Sequence, residues 1–123
     1  ARGMLPASVP YADAVFNASR AATLVAAMTS DPRLLLDATA DRLHQDYRKD
    51  AYPASMELVA ALRQRGFAAA ISGAGPSVIV LTNRDRAAAA VQAAGESGFQ
   101  VSEPGIPARG GHEIDAPTPT RPI

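Results

Sequence analysis

The stretch Ser72-Gly73-Ala74-Gly75-Pro76-Ser77 separates two apolar runs, 68–71 and 78–81, each about the length of a buried strand. The sequence therefore predicts a loop of small residues between two strands. Glycines can take positive φ and the proline fixes its own φ, so the loop is stiff and its backbone can be approached closely. Its amides and serine hydroxyls suit an anion. The simpler interpretation is a tight hairpin connection.

This loop matches neither of the two common phosphate-loop signatures. No Lys-Ser or Lys-Thr pair follows it, and the third glycine of a dinucleotide fingerprint would fall at Val78. Loop chemistry alone therefore leaves both the hairpin and the anion site open.

Composition narrows the class of protein. With 123 residues and 47% hydrophobic content, the chain is long enough for one domain with a real core. Its 12 basic and 12 acidic side chains cancel, which argues against a nucleic-acid or membrane-surface partner. The absence of cysteine excludes disulfides and fits a cytoplasmic location. The longest apolar segment, 12–29, is interrupted by charged residues and predicts no membrane span.

That segment predicts an amphipathic helix. Its apolar face at helical spacing comprises Val15, Ala18, Ala22 and Val25, widened by Ala21, Leu24 and Met28. A polar stripe of Asp13, Asn17 and Arg20 runs along the same helix. The stripe is expected to be solvated, with a ligand-facing or interdomain face as the alternative.

The remaining segments predict an alternation of helices and strands. Asp31-Pro32 starts a helix that is expected to continue through Leu43, followed by a polar surface stretch at 44–50. A metal site built from Asp41, His44 and Asp46 has irregular spacing and is not favoured, so no metal ligand is assigned.

A helix opens at 53 and ends at Gly66, strands are expected at 67–71 and 77–82, and a further helix begins at 83 and ends near Gly98. A last strand is expected at 99–103 because polar and apolar residues alternate there. This order indicates a ferredoxin-like α+β layer, an antiparallel sheet packed by helices, whose first strand would lie upstream of residue 1.

We expect the domain to span 1–103. Five of the ten prolines lie between 104 and 122, so 104–123 is expected to be a flexible tail rich in proline and glycine.

Several segments resemble one enzyme family. The glycine loop between two apolar strands resembles the third signature motif of the GHMP small-molecule kinases. Within that superfamily, three further segments resemble the C-terminal half of bacterial homoserine kinases: Ala1-Arg2-Gly3-Met4-Leu5-Pro6, Val9 to Asn17, and Asp41-Arg42-Leu43-His44-Gln45 with Tyr47-Arg48. The similarity extends to about residue 103.

The resemblance implies transfer of the γ-phosphoryl group of MgATP to the hydroxyl of L-homoserine, for threonine biosynthesis. It implies that Arg2 and Arg48 hold the carboxylate of the amino acid, for which the planar guanidinium is well suited. It places the glycine loop near the phosphate and the substrate, and it leaves Asn17 as a candidate cleft-facing residue. No catalytic base is assigned within the segment.

The resemblance also implies a missing part. The family's ATP-phosphate loop, a Pro…Gly-Leu-Gly-Ser-Ser-Ala type sequence, has no counterpart in these residues. ATP and Mg²⁺ are therefore expected to be held mainly by an N-terminal nucleotide-binding domain that precedes residue 1, and the segment alone is expected to be inactive. Family members commonly form dimers, so a homodimer is expected.

Two alternatives stay open at this point. One is another GHMP kinase acting on a mevalonate-type, sugar or diphosphocytidyl acceptor. The other is a non-catalytic ferredoxin-like module for ligand binding or oligomerisation.

Overall fold

The computed structural model describes residues 2–106 of the chain. Within them lie four α-helices, α1 (Tyr11–Thr29), α2 (Leu35–Ala38), α3 (Pro53–Gln64) and α4 (Arg84–Gly95), and two strands, β1 (Ala68–Ile71) and β2 (Val78–Leu81). Short 3₁₀ helices occupy Arg2–Met4, Pro32–Leu34 and Asp46–Ala51. Among the described residues, no helix is both long and apolar enough to cross a membrane.

The two strands form an antiparallel hairpin closed by the glycine loop. Ala68 pairs with Leu81 and Ile71 pairs with Val78. Beyond the last pair, the Ser72 N–H donates to the Ser77 carbonyl at 2.8 Å, which closes the base of the loop. The prediction of a small-residue loop between two strands is confirmed.

The core lies where α3 and α4 meet the hairpin. The buried residues of this cluster are Leu58, Val59 and Leu62 from α3, Phe67 and Ala69 beside and within β1, and Ala90 and Ala93 from α4. Small alanines on α4 let that helix approach α3 closely, and such apolar burial is the main stabilising contribution to a domain of this size. The α+β architecture with an antiparallel hairpin packed by helices is the predicted fold class.

Helix α3 ends as its glycine predicts. Gly66 has φ +76°, a conformation that glycine adopts without the steric cost of a Cβ. The Gly66 N–H donates to the Arg63 carbonyl at 2.9 Å, and the Phe67 N–H donates to the Leu62 carbonyl at 3.0 Å. This pair of bonds is a Schellman motif, and it turns the chain directly into β1.

Helix α2 is shorter than predicted, because it ends at Ala38 and does not reach Leu43. The Thr39 hydroxyl donates back to the Leu35 carbonyl at 2.9 Å. Beyond it, the Asp41 carboxylate accepts the backbone N–H groups of the residues that follow, which replaces helical bonding with a side-chain-capped loop.

The predicted strand at 99–103 is also wrong, because these residues form neither helix nor strand. A strand requires a hydrogen-bonded neighbour, and within residues 2–106 the strands β1 and β2 pair only with each other. Of the predicted tail, 104–106 are exposed without regular structure, and 107–123 lie outside the described residues.

Helix α1 is oriented opposite to the prediction. Val15, Val25 and Met28 of the expected apolar face are 48%, 66% and 59% exposed, whereas Asn17 and Arg20 of the polar stripe are half-buried. The expectation of a solvated stripe is therefore wrong for Asn17 and Arg20, and the alternative of a ligand-facing or interdomain face stays a prediction. The cause lies in the partners of the stripe: Asn17 bonds the loop after α2, which holds this face of α1 inward.

Candidate functional site

The polar side of α1 faces a cleft of about 640 Å³. Its opposite walls are the loop after α2, the 3₁₀ segment Asp46–Ala51, the end of β1 and the glycine loop. The polar side chains that line it are Asn17, Arg20, Thr39, Asp41, His44, Gln45, Arg48 and Tyr52.

Asp41 organises one wall of the cleft. Its Oδ1 accepts the Asn17 side-chain amide at 2.7 Å and the Leu43 N–H at 3.2 Å. Its Oδ2 accepts the His44 N–H at 2.9 Å and the Gln45 N–H at 2.7 Å. Both carboxylate oxygens are thus engaged by protein donors, so Asp41 acts as a structural acceptor.

The protonation of Asp41 reflects this arrangement. Burial by itself would raise the pKa of the carboxyl, but the hydrogen bonds from Gln45, Asn17, His44 and Leu43 outweigh burial and hold the pKa of Asp41 below its ordinary value. Asp41 is therefore ionised at neutral pH, and its negative charge is distributed over four donors.

Arg42 fastens the same loop to α1 from the outside. Its N–H donates to the Asn17 Oδ1 at 2.9 Å, and its guanidinium lies 3.9 Å from the centroid of the Phe16 ring. A 3.4 Å contact with Asp13 is half exposed to solvent and contributes little. The Asn17 side chain thus accepts from the Arg42 N–H and donates to the Asp41 carboxylate, which fixes the orientation of its amide.

Gln45 connects this loop to the sheet. Its Oε1 accepts the N–H of Ile71, the last residue of β1, at 2.8 Å. The following 3₁₀ turn then brings Arg48 into the cleft, where it is only 8% exposed. The sequence favoured a polar surface stretch at 44–50, which is wrong for Arg48.

The glycine loop is supported from beneath by two buried residues. A Cβ built on Gly75, whose φ is +80°, would lie 2.6 Å from Cε1 of the Tyr52 ring. The Ser55 hydroxyl, with its residue 2% exposed, donates to the Pro76 carbonyl at 2.6 Å. The peptide bond between Gly75 and Pro76 is cis. Only a residue without a side chain fits over the Tyr52 ring in this conformation.

The tip of the loop presents backbone donors. Gly73, with φ +59°, and Ala74 line the cleft. The amides of Ser72 and Gly75 are used inside the loop, donating to Ser77 and Ser72 respectively. Within residues 2–106, the N–H groups of Gly73 and Ala74 donate to no other residue, so this tip can bind an anion.

Arg63 holds the cleft wall to the core. Its Nη1 donates to the Thr39 Oγ1 at 2.9 Å and to the Ala69 carbonyl at 3.1 Å, and its Nη2 donates to the Leu36 carbonyl at 2.7 Å. Burial lowers the pKa of Arg63, opposed by the nearby Asp37 carboxylate, yet the guanidinium stays charged at neutral pH. One side chain of α3 therefore joins the end of α2 to β1.

The structure brings most of the residues proposed from the sequence together. Asn17, Arg48, Gly73 and Ala74 line one cleft. The other four residues of the glycine loop form its base and are not among the residues that line the cleft: Ser72, Gly75, Pro76 and Ser77. Arg2 lies in the first 3₁₀ turn, Arg2–Met4. Among the described residues, no group of three His, Cys, Asp or Glu side chains is placed to hold a metal ion.

Of the eight polar side chains that line the cleft, six were not proposed as site residues from the sequence: Arg20, Thr39, Asp41, His44, Gln45 and Tyr52. For Arg20 a signal exists, because it continues the polar stripe of α1 one turn beyond Asn17. For Tyr52 the sequence holds no such signal, since its position depends on contact with a loop more than twenty residues away.

Comparison with known proteins agrees with this architecture. A family model described as GHMP kinases C terminal matches residues 12–100. Over 81 residues the chain is 60% identical to the homoserine kinase of Clavibacter michiganensis subsp. michiganensis, covering 66% of the chain and 26% of that protein. It is 53% identical over 110 residues to the homoserine kinase of Streptomyces avermitilis, covering 89% of the chain and 36% of that protein.

A solved structure gives the same result. The crystal structure of homoserine kinase from Cytophaga hutchinsonii superposes with a TM-score of 0.68 at 25% identity, over 79% of this chain and 32% of the other. The chain thus spans about a third of the length of the relatives it matches. The chain belongs to the GHMP kinase family, in which it corresponds to the C-terminal domain, and its relatives there are homoserine kinases.

Proposed function

We propose that the intact protein transfers the γ-phosphoryl group of ATP to the side-chain hydroxyl of L-homoserine, and that the cleft described here holds the amino acid. The observation that carries the proposal is Arg48, an arginine only 8% exposed in the wall of a cleft that also contains Asn17 and the glycine loop. The choice of L-homoserine as the acceptor is supported by the similarity to homoserine kinases at 53% and 60% identity.

Arg48 suits the carboxylate of an amino acid. A guanidinium carries five N–H donors in a planar fork, so it can bond to protein and ligand at once. Because Arg48 is only 8% exposed, its attraction for a bound carboxylate is stronger than that of an arginine at the surface. We assign Arg48, together with Arg2, to the carboxylate of the acceptor.

We propose that the glycine loop lies next to the γ-phosphoryl group that is transferred. The Gly73 and Ala74 amides line the cleft and donate to no other described residue. Such amides stabilise negative charge that develops on oxygen. In the reaction, a bond forms between the homoserine hydroxyl oxygen and the γ-phosphorus, the bond from that phosphorus to the β-phosphate oxygen breaks, and the hydroxyl proton is released.

We assign the binding of Mg²⁺ and most of the binding of ATP to the part of the protein outside these residues. Residues 2–106 contain no grouped metal ligands and no glycine-rich loop that opens a helix. We therefore expect the 123-residue segment alone to be inactive. Isothermal titration of the segment with MgATP is expected to show no tight binding, and tight binding would contradict this assignment.

The product, O-phospho-L-homoserine, would serve threonine biosynthesis in the cytoplasm. The proposal is tested by assaying the intact protein against a panel of acceptor alcohols that includes L-homoserine, mevalonate and sugars. L-homoserine is expected to have the highest kcat/KM. Preference for an acceptor without an amino-acid carboxylate would overturn the proposal.

The role of Arg48 is tested with Arg48→Ala in the intact protein. Loss of hydrogen bonds between charged groups is expected to raise the KM for homoserine by about 10- to 100-fold. Arg33→Ala is the matched control, because the Arg33 side chain is 90% exposed and, among the described residues, its guanidinium pairs only with Asp31. Unchanged KM and kcat in Arg48→Ala would remove Arg48 from the site.

A further inference from the structure

Two side-chain atoms in the cleft have no hydrogen-bond partner among the residues that the structure describes. The Nε of Arg20 and the hydroxyl of Tyr52 are buried, and neither bonds to any residue within 2–106. Both residues line the same cleft. Buried polar atoms in folded proteins are nearly always paired, because leaving them unpaired forfeits their bonds to water. Two unpaired atoms at one cleft indicate a partner that binds there.

The chemistry of these atoms defines the partner. The Nε–H of arginine is only a donor, and the guanidinium is positively charged. The Tyr52 hydroxyl can donate as well, and its position is fixed because its ring packs beneath Gly75. The Arg20 guanidinium lies 4.8 Å from the centroid of the Phe16 ring, which holds its stem against α1. A ligand with negatively charged oxygens satisfies both groups.

The charge of the cleft favours the same ligand. Its lining contains two guanidinium groups, Arg20 and Arg48, and one carboxylate, Asp41. Asp41 is engaged on both oxygens by four donors of the protein, so it is not arranged to neutralise Arg20. With the positive charge of Arg20 and two donor groups that have no acceptor among residues 2–106, the cleft attracts an anion.

We propose that Arg20 and Tyr52 are ligand-binding residues of this cleft and that they bind an anionic oxo group, either the carboxylate of the acceptor or the phosphoryl group of the phosphorylated product. The proposal rests on the proposed function for the identity of the acceptor. It assigns binding roles to two residues in addition to Arg48.

The test uses four variants of the intact protein. Arg20→Lys keeps the charge but removes the planar fork, Arg20→Met removes the charge and keeps the stem, and Tyr52→Phe removes only the hydroxyl. Tyr47→Phe is the matched control, because Tyr47 is 38% exposed and is not among the residues that line the cleft. The thermal midpoint of each variant, compared with that of the wild type, verifies folding.

Three ligands distinguish the two anions. They are L-homoserine, the alcohol 2-amino-1,4-butanediol, which lacks the carboxylate, and O-phospho-L-homoserine as a product inhibitor. If Arg20 binds the carboxylate, Arg20→Met raises the KM for homoserine by about 10- to 100-fold and leaves the KM for the diol unchanged. If it binds the phosphoryl group, kcat falls by a similar factor for both alcohols and inhibition by the product weakens.

Tyr52→Phe is expected to change the same kinetic parameter as Arg20→Met, by about 3- to 30-fold. Arg20→Lys is expected to change that parameter less than Arg20→Met does, because lysine keeps the charge but lacks the planar fork. Folded variants of both residues with wild-type KM, kcat and product inhibition would overturn the inference.

If L-homoserine is not the acceptor, the proposed function fails and the kinetic result is different. The wild-type protein would then prefer another acceptor, and the same variants are compared with that acceptor. A readout that needs no turnover is the rise in thermal midpoint caused by inorganic phosphate. This rise is expected in the wild type and in Tyr47→Phe and is expected to be reduced in Arg20→Met. An equal rise in all three proteins, combined with unchanged kinetics, would show that Arg20 binds no anion.

Discussion

Asn17 of α1 donates a 2.7 Å hydrogen bond to Asp41, 24 residues further along the chain. The Arg42 N–H, in the loop that Asp41 caps, donates to the Asn17 side-chain oxygen at 2.9 Å. This reciprocal pair holds the polar side of α1 against the loop after α2, and both of these elements line the cleft. The amide of Asn17 is therefore a structural part of the cleft as well as a lining group.

Asp41→Asn is expected to destabilise the protein at neutral pH. The amide replaces one acceptor oxygen by a donor that faces backbone N–H groups, so at least one donor loses its partner. We expect the free energy of unfolding to fall by about 1–3 kcal/mol, measured by denaturant titration of the intact protein. Asp50→Asn, at an exposed position, is the control and is expected to change stability very little. Equal stability of the two variants would contradict the role of Asp41.

The stability of the protein should also depend on pH through Asp41. Because the pKa of Asp41 is lower in the folded chain than the ordinary 3.8, its stabilising contribution is fully present above that value. The contribution is lost as the pH falls below 3.8 through the folded pKa. The gap in unfolding free energy between wild type and Asp41→Asn is therefore expected to narrow on acidification below about pH 4. Parallel pH profiles of the two proteins would rule this out.

Gly75→Ala is expected to damage the glycine loop more than Gly73→Ala does. Both glycines have positive φ, which costs roughly 1–2 kcal/mol for alanine. At Gly75 the new methyl would also lie 2.6 Å from the Tyr52 ring, whereas at Gly73 it would meet nothing within 4 Å. We expect a loss of roughly 2–4 kcal/mol at Gly75 and about 1 kcal/mol at Gly73. Thermal or denaturant unfolding measures the difference, and equal losses would show that the Tyr52 ring moves away freely.

The sequence predicted local features well where local chemistry determines them. The hairpin, the end of α3 at Gly66 and the start of α4 after Asn83, whose side chain accepts the Arg86 N–H at 3.1 Å, all depend on a few neighbouring residues. Arg48 and the glycine loop were proposed as site residues from the resemblance to homoserine kinases.

The wrong predictions concern features that depend on contacts between residues far apart in the sequence. Periodicity identifies the apolar face of α1 but not which face is buried, and here Asn17 binds Asp41 and turns the polar stripe inward. Periodicity likewise predicted a strand at 99–103, although pairing depends on a neighbour that the described residues do not supply. The helix expected to continue through Leu43 ends early because Asp41 captures the next backbone amides, a preference that apolar spacing does not reveal.

Arg63→Met is expected to destabilise the protein far more than Arg65→Met, two residues away on the same helix end. Arg63 donates to the Thr39 hydroxyl and to the carbonyls of Ala69 and Leu36, which tie the end of α2 to β1. Its loss leaves acceptors in the interior without their donor, so we expect a loss of about 2–4 kcal/mol.

Arg65 makes one pair with Glu96 at 2.7 Å, and both side chains are about half exposed, so its removal should cost less than about 1 kcal/mol. Denaturant titrations of both variants in the intact protein give the comparison. Because Thr39 and the end of β1 also form the cleft wall, Arg63→Met should in addition raise the KM for the acceptor, whereas Arg65→Met should not. Similar stabilities and similar KM values would mean that the wall is held by the Asn17–Asp41 pair without help from α3.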